Sequence, residues 1–113
     1  MAKDDYHVIV YQILAYLYVQ LKAGQPVDAK MLMPDSKYLG VNEKYWTYIM
    51  RNLINDGLIN GPCITKPWNG DVIIDDLEDI EITPRGIEYL CDNSFINKAK
   101  EFLKDVKAIV PFI

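Results

Sequence analysis

Metal-ligating and nucleophilic side chains are scarce in this chain. His7 is the only histidine, and the two cysteines, Cys63 and Cys91, lie far apart with no CxxC or CxxH spacing. That argues against a zinc site and leaves two reduced thiols as the simpler reading. A lone histidine without a second ligand or a nucleophile in local register points to a structural or surface role. Gly-rich phosphate loops are missing. Paired carboxylates occur only in one acidic stretch with no evident pocket beside it, so general acid–base chemistry has little to stand on. No enzyme and no cofactor is expected.

Membrane and targeting signals are missing too. No apolar run reaches the ~20 residues that span a bilayer. The start, Met1-Ala2-Lys3-Asp4-Asp5, is charged. The apolar stretch after it is broken by His7, Gln12 and Gln20 and has no small-residue cleavage site. A cytoplasmic protein is expected. Repeats, low-complexity tracts and linkers are also absent, so residues 1–113 are read as one domain.

Of the 113 residues, half are apolar, enough for a packed core without staples. Net charge is −4, which disfavours generic nucleic-acid binding. Its distribution matters more. Asp71, Asp75, Asp76, Glu78, Asp79 and Glu81 fall in one segment without a base, leaving 10 of the 16 acids to face 12 bases elsewhere. The segment reads as a solvated acidic loop, or else as a surface for a basic partner or a cation. Its spacing is not that of an EF-hand loop.

Periodicity places a first helix from about Asp5 to Lys22, capped by Asp4 or Asp5 and ended by Gly24-Gln25-Pro26. Its tyrosines, Tyr6, Tyr11, Tyr16 and Tyr18, are spread around it, so some are expected off the core face. Asp28 caps a short second helix to roughly Met33, and Ser36–Leu39 can add a further turn. Asn42 caps a third helix, in which Tyr45, Trp46, Ile49, Met50, Leu53 and Ile54 form a stripe and Gly57 takes the left-handed position after the end. Short helix, Gly-containing turn and longer helix have the layout of a helix-turn-helix over about 28–57. A wing follows over about 58–82. Leu58-Ile59, Cys63-Ile64-Thr65, Val72-Ile73-Ile74 and Ile80-Glu81-Ile82 supply strand material, and Pro62 confines its neighbourhood to an edge or bulge. Helices fill about 84–110. Thr83 caps the first, with Pro84 at its opening position. The second runs from about Ser94 with an apolar stripe of Phe95, Ile96, Ala99, Phe102, Leu103 and Val106.

The fold class is therefore α+β and mainly helical: a winged helix-turn-helix with a small antiparallel wing sheet and an added C-terminal helix. Three stretches carry a resemblance. They are Leu53-Ile54-Asn55-Asp56-Gly57-Leu58-Ile59, Ile82-Thr83-Pro84-Arg85-Gly86-Ile87-Glu88-Tyr89-Leu90, and the closing Lys98–Lys107 helix. With the pattern upstream they make most of the chain resemble the YjcQ-like family of small winged-helix proteins, mostly of bacterial or phage origin. The resemblance implies the fold and offers no catalytic residues to carry over. The acidic segment 71–81 departs from a basic, DNA-gripping wing.

Two roles are compatible with these residues. In the first, the chain is a DNA-binding transcriptional regulator and its third helix reads double-stranded DNA. Asn42, Lys44, Thr47, Tyr48 and Arg51 fall off the core stripe, residue types that reach base edges or phosphates. Lys44 and Arg51, seven apart, share a face, and Lys37 and Lys66 can add phosphate contacts. Glu43 on the same helix speaks instead for an ordinary solvated face. In the second role, the chain is a protein-interaction module. The tyrosines of the first helix, Trp68 and the tail Ile109–Ile113 then serve a partner, with a homodimer through the first or last helix expected.

Overall fold

A computed structural model describes residues 4–68, 70 and 72–104, with side chains described through Glu101. The tail Ile109–Ile113, Asp71 and the expected core positions Phe102, Leu103 and Val106 lie outside the described residues or side chains.

Helix α1 spans Tyr6–Ala23. Asp5 occupies its N-cap position without a side-chain cap bond, while its carbonyl accepts from the Val8 and Ile9 amides. The end is a Schellman motif. Gly24 turns left-handed at φ 66, its N–H reaches Leu21 O, and Gln25 N–H reaches Gln20 O. Every residue from Val8 to Leu17 is buried. Sequence periodicity implies one broad apolar face, Ile9, Val10, Ile13, Leu14, Tyr16, Leu17 and Leu21, with some tyrosines off it; Tyr16 is buried as that face requires, Tyr11 joins the core as well, and Leu21 is exposed instead. The reason is tertiary. The other helices and the sheet pack around α1 from several sides, and a helix enclosed in this way tolerates apolar residues all round.

The segment after α1 is pinned rather than regular. A 3-10 turn, Ala29–Leu32, replaces the expected short α-helix, with the Asp28 carboxylate accepting from Lys30 N–H at 3.0 Å. Residues 36–39 add only a turn, closed by Gly40 N–H to Ser36 O. Long-range hydrogen bonds fix this path. Asp28 N–H donates to Tyr16 Oη, Trp46 Nε1 to Leu32 O at 2.7 Å, and Tyr38 Oη to the Gln12 carbonyl at 2.6 Å. Gln12 Nε2 donates back to Tyr38 O. Helix α2 (Glu43–Asn55) then starts as expected, with Asn42 Oδ1 accepting from Tyr45 N–H. Trp46, Ile49, Met50 and Leu53 are its buried stripe. Gly57, left-handed at φ 71, releases the chain.

The wing is a hairpin built in two stages. At its base β1 (Ile59–Asn60) pairs antiparallel with β4 (Glu81–Ile82), Ile59 opposite Ile82. Farther out β2 (Cys63–Thr65) pairs with β3 (Ile73–Asp75), Ile64 opposite Ile74. Between the two ladders Gly61 and Pro62 on one limb face Asp76–Ile80 on the other, a bulge containing a second 3-10 turn, Leu77–Asp79. Leu77 and Ile80 are buried, and the bulge packs against the first 3-10 turn. Asp76, Glu78 and Asp79 consequently point outward. Gly61, at φ 105, lies so close to the Asp79 carbonyl that a Cβ would overlap it. The bulge explains why the wing segment is longer than a plain hairpin needs.

Strand β4 runs directly into α3 (Pro84–Asp92), and Asn93 separates α3 from α4 (Ser94–Lys104). Both lie along α1, with Ile96 and Ala99 fully buried. The architecture is mainly helical α+β, in the winged-helix order of elements. No helix among the described residues is long and apolar enough to cross a membrane.

Candidate nucleic-acid interface

Burying the Trp46–Leu53 stripe leaves a polar face of α2 outward. There Lys44, Thr47, Tyr48 and Arg51 line one groove of about 450 Å³, together with Glu43 and with Val72 from the wing. Four of the seven residues singled out from sequence thus meet in one place. Strand β3 lies against α2, so the wing forms the second wall.

The other three lie apart from the lining. Asn42 is exposed, and its side-chain oxygen is committed to capping the helix, leaving its amide N–H groups as donors. Lys37, in the turn before α2, and Lys66, just beyond β2, are exposed. Lys44 stands in the first turn of α2, where the helix dipole disfavours a cation, so helix stability gives no reason for it.

Inside the groove, Tyr48 is 51% exposed. The Arg51 guanidinium sits 6.0 Å from its ring centroid, within cation–π range, and Tyr6 meets it edge-on at 6.2 Å. Asn52, behind it, spends its Nδ2 on the Tyr48 carbonyl at 2.7 Å. Burial pushes the Tyr6 phenol up to about 12, with Tyr89, Asp56, Tyr48 and Tyr45 adding to it. Burial raises Tyr45 as well, and its hydroxyl donates to Asp4 O at 2.7 Å. These phenols stay protonated donors at neutral pH. The groove therefore offers two cations, two hydroxyls, an aromatic face and one carboxylate. That set can hold an anion and a flat ring.

The sequence gives no direct sign of Val72 as a wall or Tyr6 as a support, because both depend on tertiary placement. The Tyr48–Arg51 pair was readable in principle from its i, i+3 spacing.

The acidic wing is a separate surface. Asp76, Glu78 and Asp79 are exposed, with carboxylate oxygens within 4.8 Å of one another. Cys63 is exposed and free, and its thiol is raised, first by a hydrogen bond with Asp76 and then by burial and the neighbouring carboxylates. It is thus a poor nucleophile. Cys91 is also exposed and free. His7 stacks on Phe95 at 4.7 Å with Tyr6 edge-on, and it belongs to no group of three or more metal-ligand side chains among the described residues.

A family model described as YjcQ protein matches residues 11–109, from the second turn of α1 to beyond α4. Neither a curated protein nor a solved structure matches the chain. The match takes in α2, the wing and the junction between β4 and α3, and the chain belongs to the YjcQ family.

Proposed function

We propose that this chain is a cytoplasmic winged-helix DNA-binding protein, a transcriptional regulator rather than an enzyme, with the outer face of α2 as its reader. One observation carries the reading: Lys44, Thr47, Tyr48 and Arg51 converge on one groove along the N-terminal part of α2. Cations of this kind grip phosphates, while Thr and Tyr can address base edges or the sugar-phosphate backbone. The exposed carboxylates of the wing oppose a polyanion, so affinity is modest and strongly salt-dependent.

Fluorescence anisotropy with mixed duplex DNA over a salt series tests this. Each phosphate contact contributes roughly −0.9 to the slope of log affinity against log salt, so Lys44→Ala with Arg51→Ala should flatten it by about 1.8. Neutralising the wing through Asp75→Asn with Glu78→Gln should tighten binding. An unchanged slope in the double variant removes α2 as the reader. Absence of binding at low salt removes DNA as the ligand.

A specific observation favours the second reading, a protein-interaction module. Trp68, at the wing turn, is 96% exposed. Exposed tryptophan is rare on surfaces that meet only water and common at the centre of interfaces.

A further inference from the structure

We propose that the α2–wing groove receives Trp68 of a second copy of this chain, reciprocally, so that two copies pair about a two-fold axis and mask each other's groove. The inference stands without the DNA-binding reading and adds to it a competitor for the same surface.

Trp68 is the most exposed of the large apolar side chains among the described residues. A hydrogen bond from Gly70 N–H to Pro67 O closes the turn that presents it. An indole left in water is a large unfavourable apolar surface, and it needs a slot with an aromatic face and a cation. The groove has both in Tyr48 and Arg51, with Thr47 and Val72 beside them and room for a ring system. Trp68 does not fill the groove of its own chain, since it is almost wholly exposed.

Charge selects a second copy as the occupant. The groove holds two cations against Glu43. The wing that carries Trp68 also carries four exposed carboxylates, Asp75, Asp76, Glu78 and Asp79, against one exposed base, Lys66. Donor and acceptor lie side by side, because Val72, on the same loop as Trp68, is a wall of the groove and β3 rests on α2. A two-fold interface requires this self-complementarity: the acidic, Trp-bearing wing of each copy meets the basic groove of the other at the same time.

The test is association without DNA, followed by light scattering from micromolar to hundreds of micromolar at low and high salt. Tryptophan emission is read in parallel. Trp46 is buried and hydrogen-bonded to Leu32, so a concentration-dependent blue shift reports Trp68. The expected result is a mass rising to that of a dimer together with the blue shift, both weakened by salt. Trp68→Ala should weaken association roughly thirtyfold, as loss of an interface anchor does.

Two charge variants sharpen the test. Lys44→Glu with Arg51→Glu, and separately Asp75→Lys with Glu78→Lys, should each leave a folded monomer by circular dichroism. Mixed in equal amounts they should pair again, because both contacts regain opposite signs. A monomer mass at every concentration overturns the proposal. So does a dimer indifferent to Trp68→Ala, or a mixture of folded variants that fails to recover. A blue shift without a change of mass would mean that Trp68 closes on its own chain, and it also overturns the proposal.

Discussion

Thr83 holds three elements together. Its N–H reaches Leu58 O, its hydroxyl donates to Gly57 O at 2.6 Å, and the same oxygen accepts from Gly86 N–H at 3.0 Å. The end of α2, the base of the wing and the start of α3 thus meet at one residue. Thr83→Ala should cost about 0.5–2 kcal/mol as a lost cap, read from a urea midpoint. Gly86 is there because α3 crosses close to the Leu58 carbonyl: a Cβ would overlap that oxygen and press on Ile82 Cγ1. Gly86→Ala should destabilise by about 1–3 kcal/mol through overpacking, although alanine is the better helix former. Approximate parity with the parent would show that the crossing is looser than drawn.

His7 gives the residue scale its pH dependence. Burial lowers its pKa, against a smaller opposing pull from Asp5, and its Nδ1 is buried without a hydrogen-bond partner among the described residues. The folded chain therefore binds the proton less readily than the unfolded one. His7 costs nothing above the unfolded pKa of about 6.5, and stability falls as pH drops from there through the lower folded value. His7→Phe should remove that part of the acid loss. Urea midpoints of parent and variant should diverge between about pH 7.5 and about pH 5, and parallel curves would show that His7 does not titrate in the fold.

Among the elements, α2 shows what sequence makes legible and what it does not. Its cap at Asn42, its Gly57 exit and its buried stripe all rest on chemistry within one or two turns, and all stand where the residues imply. Leu53, almost fully buried, should cost about 2–5 kcal/mol when replaced by Ala. A loss within about 0.5 kcal/mol would mean a surface position. The shared groove of Lys44, Thr47, Tyr48 and Arg51 was legible for the same local reason: three-, four- and seven-residue steps on one helix. The neighbouring segment was not. Asp28 to Gly40 takes its path from Tyr16, Trp46 and Gln12, partners far away in sequence, so a 3-10 turn and a bend stand where a short helix was expected. The wing bulge hid in the acidic run, whose two inward residues, Leu77 and Ile80, reveal their role only once the register of both ladders is fixed.

At the scale of the molecule α1 is the shared partner: α2, α3, α4 and β4 all pack against it. Amide exchange should accordingly be slowest across Val8–Leu17, with the wing ladders among the fastest. A slow wing beside a fast α1 would contradict this ordering. Of these elements the central helix is also the first to be made. During synthesis it leaves the ribosome with the apolar side chains of a core and no core to enter, because α3 and α4, which pack along it, follow only after α2 and the wing. Folding on the ribosome must therefore wait for the final third, and a nascent chain halted before Pro84 should remain open to chaperones along α1, whatever the local helix already formed there.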